Sequence, residues 1–390
     1  MKNIALTLAC LMAITGYGQV THTHKLSLGI GNEWNAFLSP STFVEDDEVR
    51  RHSDLWDNGT FQSVSLKNSI KNEGSRYKLK VKVNGSLGVF QTEQNSNRYT
   101  YRLGLSYRLK YASKKYFEFA PELFRKKREG LNTDNAVLAT PFSYLVFKMP
   151  IGFDFYLGNK SWLKTQAGYL YKNYDKTQGE KLYYQAPFLE AVYSKKWEAE
   201  TSFKKFALKS TTQLRNYHTL SLKNEFEELE EEEFEEREEL DDEVIYQEGS
   251  RNWMYQFTTL MIDFTKGDTR KVGIGFYHVS RIDHRSRSTY HELGPGILYD
   301  EMLGKIGFKS SIRYTIRNYT KLSPSSESSI PLQYKYLRAN LELNYPINGT
   351  GQIYGKGSFV NRTSNNPNLE SLSFRDYFNG FVEIGLRWEW

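Results

Sequence analysis

The stretch that decides the fold is Tyr99-Thr100-Tyr101-Arg102-Leu103-Gly104-Leu105-Ser106-Tyr107-Arg108-Leu109-Lys110-Tyr111. Its odd positions are all aromatic or Leu, and its even positions are Thr, Arg, Gly, Ser or Lys. A period of two with one wholly apolar face is the pattern of a β-strand. A soluble strand usually has about 5–6 residues, whereas a tilted bilayer crossing needs about 9–11. The length of this stretch therefore favours a membrane-crossing strand.

The same alternation recurs along the chain, for example over residues 145–155 and 337–345. Turn-forming residues separate the runs at Asn72-Glu73-Gly74, Gly158-Asn159-Lys160, Ser194-Lys195-Lys196 and Asn348-Gly349-Thr350-Gly351. Longer polar stretches fall between them, the largest at 38–59 and 209–250. Short turns at one end and long loops at the other are typical of a membrane barrel. The pattern predicts about sixteen antiparallel strands, within a range of about 14–18.

The last predicted strand ends the chain on an aromatic residue. Its apolar positions are Val382, Ile384, Leu386, Trp388 and Trp390, and they alternate with Glu383, Gly385, Arg387 and Glu389. This strand resembles the C-terminal strand of Gram-negative outer-membrane β-barrel proteins, in which the terminal aromatic helps the barrel-assembly machinery recognise its client. The resemblance implies an all-β, single closed transmembrane barrel in the cell outer membrane, in contact with lipid and lipopolysaccharide. A soluble β-sandwich is the alternative.

The N-terminus matches a secretory signal peptide over residues 1–18. Lys2 supplies the positive charge, residues 4–14 are largely apolar, and Gly16-Tyr17-Gly18 is a small-x-small cleavage site. A lipoprotein anchored at Cys10 fits less well, because the apolar stretch before it is short. The predicted mature barrel, 19–390, has no cysteine and therefore no disulfide. Beyond the signal no apolar run reaches the about 18 residues that a helical membrane span needs.

Charge is divided unevenly along the chain. Residues 225–243 contain fourteen carboxylates and one arginine, although the whole chain has a net charge of +6. Strand parity places this acidic segment in an extracellular loop. A block of like charges is most often a solvated loop. The functional alternatives are capture of divalent cations, although the spacing of a calcium loop with its turning Gly is absent, and docking of a basic partner. The rest of the chain is strongly basic.

The inner face of the predicted barrel carries most of the remaining charge. The residues that we expect to line a pore are Lys78, Lys80, Lys82, Arg102, Arg108, Lys309, Arg313, Arg317, Glu118 and Glu122. Charges inside a barrel need water or a partner of opposite sign. An aqueous lumen with a positive field would favour anions. The alternative is a charged wall that stabilises the fold and selects nothing.

One predicted hairpin contains candidate catalytic residues. In residues 272–280 the apolar even positions continue into His278 and Ser280, which would then face lipid. This His-x-Ser pair resembles outer-membrane phospholipase A, and with Glu292 it is similar to lipid-A deacylases. The resemblance implies that His278 deprotonates Ser280 while Glu292 orients the imidazole. Arg281-Ile282 departs from the phospholipase pattern, and polar residues at a membrane interface are the plainer interpretation.

The sequence therefore predicts a porin-like passive channel for small solutes, with a preference for anions. A lipid-face esterase is the enzymatic alternative, and a surface or assembly component that uses loops 38–59 and 209–250 is the binding alternative. Two histidines in His22-Thr23-His24 are too few for a structural metal site. We expect no cofactor, no metal and no nucleic-acid partner.

Overall fold

A computed structural model describes residues 19–34, 42–45, 48–51, 59–91, 97–128, 143–175, 182–199, 202–219, 249–266, 269–284, 289–324, 329–366 and 376–390. The predicted signal peptide and the acidic segment 225–243 lie outside these ranges. Among the described residues, no helix is long and apolar enough to cross a membrane. The described chain forms one large antiparallel sheet and a small separate hairpin of Thr42–Glu45 and Glu48–Arg51.

The large sheet has seventeen strand segments, two of which share one crossing, so it contains sixteen strands. In chain order they are β1 (Gln19–Trp34), β2 (Gly59–Glu73), β3 (Tyr77–Phe90), β4 (Arg98–Ala112), β5 (Lys115–Phe119 and Glu122–Arg128), β6 (Tyr144–Gly158), β7 (Ser161–Tyr174), β8 (Leu182–Ala199), β9 (Ser202–Thr219), β10 (Gly249–Lys266), β11 (Arg270–Asp283), β12 (Tyr290–Leu303), β13 (Ile306–Tyr319), β14 (Gln333–Pro346), β15 (Gly351–Ser364) and β16 (Tyr377–Glu389). The prediction of about sixteen strands is confirmed.

The sheet closes on itself between its first and last strands. β1 pairs with β2 on one side and with β16 on the other, in a register that runs from Lys25 opposite Glu389 to Trp34 opposite Gly380. Two backbone hydrogen bonds complete this seam, from His24 N to Trp390 O at 2.8 Å and from Trp390 N to His24 O at 3.0 Å. No edge of the barrel is left unpaired along this seam, so the predicted closed barrel is confirmed.

Proline divides one strand. Both segments of β5 pair with β4 and β6, but the ladder is interrupted at Ala120-Pro121. Proline has no N–H to donate to a ladder. The neighbouring groups compensate: Leu105 N donates to Pro121 O at 3.0 Å, and Ala120 N donates to Pro150 O at 3.2 Å. The two segments therefore act as one crossing of the barrel wall.

Short and long connections alternate along the chain. Asn159 and Lys160 form a two-residue turn with φ values of 46° and 58°, as a type I′ hairpin requires. The prediction of a tight turn at Ser194–Lys196 is wrong. β8 continues to Ala199, and Lys195 and Lys196 stay in register with β9. The backbone hydrogen-bond ladder satisfies these residues, so nothing bends the chain there. The strand ends that flank the longer connections, such as Thr219 and Gly249, lie at the opposite end of the barrel.

Candidate functional site: the inner wall of the barrel

The outer surface is an apolar belt. Large apolar side chains that face away from the barrel axis stay exposed on strand after strand, for example Leu189 (65%), Ile297 (57%) and Ile384 (59%). A soluble protein rarely exposes a continuous apolar surface of this extent, whereas lipid requires one. The molecule is an outer-membrane β-barrel. Its short-turn end is then periplasmic and its long-loop end extracellular.

The inner wall is charged. Because side chains alternate along each strand, the register places on the inner face all ten residues predicted to line a pore: Lys78, Lys80, Lys82, Arg102, Arg108, Glu118, Glu122, Lys309, Arg313 and Arg317. The inner face of β16 likewise carries Glu383 and Arg387. Whether these residues line a conducting pore stays a prediction.

Ion pairs cross the inner wall between strands. Arg108 Nη2 lies 2.7 Å from Asp154, and Lys164 Nζ lies 2.5 Å from Glu118. Further carboxylates have cationic partners in the pairs Glu33–Arg98, Glu122–Arg102, Glu190–Lys209, Asp263–Lys271, Asp300–Lys309, Glu342–Arg387, Glu383–Lys356 and Glu389–Lys25. These carboxylates therefore add little free negative charge to the lumen.

Near the extracellular end, the inner wall carries what we call the aromatic–arginine layer. Its arginines lie on strands that run toward this end, and most of its rings lie on the strands between them. The layer comprises Arg215, Arg281, Arg317, Arg362, Tyr184, Tyr217, Trp253, Tyr255, Tyr290, Tyr319, Tyr334, Tyr336 and Tyr377. All of the rings are at most 9% exposed.

Each arginine of the layer stacks on aromatic rings. The guanidinium carbon of Arg281 lies 4.5 Å from the ring centroids of both Trp253 and Tyr290. That of Arg317 lies 4.2 Å from Tyr290, and that of Arg215 lies 3.9 Å from Tyr255. Such cation–π contacts strengthen when water is excluded. This part of the wall is therefore packed like a protein core.

Glu292 is a buried carboxylate that contacts this layer. It accepts hydrogen bonds from Thr315 Oγ1 at 2.6 Å and from Arg317 Nη2 at 3.0 Å, and Arg338 Nη1 lies 3.3 Å away. The side chains of Glu292 and Arg317 are 8% and 9% exposed. Removing one partner of such a buried charge pair strongly destabilises the fold, because the other charge is left buried and uncompensated.

A short sequence repeat that the alternation analysis missed marks the layer. The repeat is found in three strands that run toward the extracellular end: Lys172-Asn173-Tyr174 and Arg317-Asn318-Tyr319 end their strands, and Arg215-Asn216-Tyr217 lies two residues before the end of β9. In each repeat the cation and the ring face inward and the Asn faces outward. Lys172 Nζ lies 4.2 Å from the centroid of Tyr174 within its own repeat. The repeated cation-Asn-Tyr spacing is therefore the sequence signal by which the layer could have been predicted.

A second cationic region lies in the periplasmic half of the wall, on β2 and β3. It contains Lys67, Lys71, Lys78, Lys80 and Lys82, and we call it the lysine patch. Lys67 and Lys82 are exposed, and no ring contact involves any of the five within the described part of the chain. The patch thus differs from the aromatic–arginine layer in both packing and partners.

The structure does not bring the predicted catalytic residues together. His278 and Ser280 lie on the outer face, as expected, and the His278 ring stacks on His291 at 6.0 Å. Glu292, however, follows His291 by one residue and points to the inner face, where it binds Arg317. A sheet lies between the proposed acid and the imidazole, so Glu292 cannot orient His278. A catalytic role for the other two residues stays a prediction.

The acidic segment and the histidine pair near the predicted mature N-terminus are the two other features singled out in the sequence. The acidic segment 225–243 lies outside the described residues. His22 and His24 stack at 6.3 Å on the outer face near the periplasmic end, and His24 stacks on Trp390. Within the described ranges, no group of three or more His, Cys, Asp or Glu side chains could hold a metal ion.

Comparison with known proteins yields fold matches alone. No family model and no curated protein matches the sequence. The outer-membrane channel DcaP of Acinetobacter baumannii is 11% identical over 96% of this chain and 97% of its own, with a TM-score of 0.47. OccAB1 of the same organism is 7% identical over 95% and 96%, with a TM-score of 0.45. The ferric citrate transporter FecA is 10% identical over 88% of this chain, which spans 60% of FecA, with a TM-score of 0.40. These likenesses carry no argument about function.

Proposed function

We propose that the protein is a passive outer-membrane channel for small solutes and that it prefers anions. Barrels of this strand number usually enclose an aqueous channel. The observation that carries the proposal is the imbalance of free charge on the inner wall. The wall carboxylates described above have cationic partners, whereas Lys67, Lys80 and Lys82 have no ion-pair partner within the described part of the chain.

Charge on a wall acts on ions in the channel through the local potential. A low-dielectric wall focuses the field of uncompensated cations and raises the local concentration of anions. Neutralised pairs contribute little at distances beyond their own separation. The free lysines of the inner wall should therefore set the selectivity.

Conductance in planar lipid bilayers tests the proposal. Under a potassium chloride gradient, the purified full-length chain should give single-channel current steps. Their reversal potential should lie closer to the equilibrium potential of chloride than to that of potassium. Lys82→Glu, on the exposed inner wall, should move that potential toward potassium. The matched control Lys335→Glu reverses the same charge on the outer face and should leave it unchanged. Bilayers that stay closed at every voltage would refute the channel.

A further inference from the structure

Lysines of the inner wall stand directly opposite one another. In the ladder of β2 and β3, Lys71 is the Cα partner of Lys80. In the ladder of β1 and β2, Lys25 is the Cα partner of Lys67. Cross-strand partners on one face have side chains only about 5 Å apart at Cβ, and like charges in this arrangement are destabilising. Lys78, Lys80 and Lys82 extend the row along β3 at every second residue.

Carboxylates offset only part of the charge of the patch. Glu73, at its periplasmic edge, pairs with Lys71 and lies 4.0 Å from Lys78. Lys67, Lys80 and Lys82 have neither an ion pair nor a ring contact within the described ranges. Glu342 partly offsets the charge of Lys67, whereas the repulsion between Lys80 and Lys82 is left to water or mobile anions.

Small side chains neighbour the lysines. Ser69 is the Cα partner of Lys82 and supplies a hydroxyl donor. Ser106 is the Cα partner of Lys80 on the other side of β3, but its hydroxyl donates to Glu118 Oε1 at 3.4 Å. Gly104, opposite Lys82 on β4, adds no side chain. Apart from its neighbours in the chain, the Cβ of Lys82 is the one atom of the described residues within 4 Å of where a Cβ on Gly104 would stand, so the wall beside Lys82 is open. Ammonium groups with neighbouring hydroxyls are the donor set that oxyanions accept hydrogen bonds from.

We propose that the lysine patch is a binding site for oxyanions that carry two or more negative charges, of the phosphate class. One such anion meets several ammonium groups at once, and its Coulomb energy grows with its charge. Because the binding constant is exponential in this energy, its affinity exceeds that of chloride by more than the ratio of the charges. Lysine suits this task because it is a hydrated point charge with three donors on a flexible stem. As the solute site of the channel, the patch rests on the proposed function; as a binding site it is independent of conduction.

The test is equilibrium binding of inorganic pyrophosphate to the full chain in detergent at low ionic strength, followed by phosphorus nuclear magnetic resonance. Lys80→Gln combined with Lys82→Gln should weaken binding about tenfold or more, since two neighbouring cations without an ion pair are lost. The matched control combines Lys271→Gln with Lys309→Gln. It removes the same charge from inner-wall lysines that already face Asp263 and Asp300, at 3.2 Å and 3.5 Å, and should change binding by less than about twofold.

Three results would overturn the site: no pyrophosphate binding by the native chain, equal weakening in the control, or displacement by chloride as efficient as displacement by inorganic phosphate. If the double variant does not fold, Lys82→Gln alone should still weaken binding several-fold, and an unchanged affinity would refute the proposal. Pyrophosphate binding without conductance leaves the site standing and removes the channel. Conductance without pyrophosphate binding leaves the channel standing and removes the site.

Discussion

The inner wall handles positive charge in two ways. In the aromatic–arginine layer, Arg281 is 2% exposed and stacks on rings, and Arg317 is bound to Glu292. In the lysine patch, Lys67 and Lys82 are exposed to the lumen and have no ring or carboxylate partner among the described residues. The first group is part of the packing of the wall, and the exposed lysines of the second are not.

The choice of residue explains the difference. The guanidinium group is planar and weakly hydrated, so it can lie flat against Tyr and Trp with little desolvation cost. An ammonium group is strongly hydrated and gains less from a ring. Arginine therefore stabilises the extracellular half of the wall, and lysine keeps its charge accessible in the periplasmic half. Substitutions in the two regions should separate stability from selectivity.

The largest effect is expected for Arg317→Ala. It leaves Glu292 buried with Arg338 as its remaining cation among the described residues, and such a change costs about 3 kcal/mol or more. Urea unfolding followed by tryptophan fluorescence measures the loss. Replacing Arg317 and Glu292 together by Leu should recover part of the stability, since no buried carboxylate is orphaned and Arg338, which loses Glu292, keeps its hydrogen bond to Thr315 Oγ1 at 2.9 Å. An unchanged urea midpoint in Arg317→Ala would contradict the structural role of the layer.

Arg215→Met should cost less, about 1–2 kcal/mol. Arg215 stacks on Tyr255 and donates to the Tyr217 hydroxyl at 3.2 Å, but it has no carboxylate partner within the described part of the chain. Its loss therefore orphans no negative charge. The same urea titration compares the two arginines. A loss as large as that of Arg317→Ala would contradict this distinction.

A smaller, pH-dependent effect is expected at Asp376, just before β16. Burial raises the pKa of its carboxyl above the usual value, although the Ser364 N–H donates to it and Arg362 attracts it. Because the folded pKa is the higher one, stability is fully present below the unfolded value of about 3.9 and falls as the pH rises through the folded pKa. Asp376→Asn should thus be more stable than the native chain at neutral pH and equal to it in acid. A variant less stable at neutral pH would contradict this.

The smallest effect on stability is expected for Lys80→Gln, within about 0.5 kcal/mol. Removing one of two opposed lysines relieves repulsion from Lys71, so the variant should gain slightly at low ionic strength, where screening is weak. Urea midpoints at low and high ionic strength measure this. A clear loss at both would show that the patch, like the layer above it, stabilises the fold.

Period-two alternation predicted the strands and their faces because each side chain's direction follows from its neighbours. Tyr99–Tyr111 falls within β4, with Tyr101 and Leu103 exposed outward and Arg108 inward. The same parity would have placed Glu292 inside, opposite to His291 and Leu293. The catalytic hypothesis failed at this residue because it used a family's spacing in place of that parity.

Contacts between strands were beyond the sequence. Alternation places Arg108 and Asp154 on the inner face, but only the register of β4, β5 and β6 brings them within 2.7 Å. The turn predicted at Ser194–Lys196 failed for a related reason: local turn chemistry was outweighed by the ladder that β8 forms with β9. Non-local pairing thus decides both the partners and the ends of strands.

The seam between β1 and β16 sets the order of folding. Arg387 Nε lies 3.4 Å from Ser27 Oγ, across a separation of 360 residues. The first strand therefore has no partner on one side until nearly all of the described chain has been delivered, and its free edge can pair with any other strand in the meantime. Contacts of such long range are slow to form. The last step of folding is consequently the closure of the barrel. Until then the open edge of β1 has to be protected from pairing with the wrong strand, which is the main kinetic requirement of assembly.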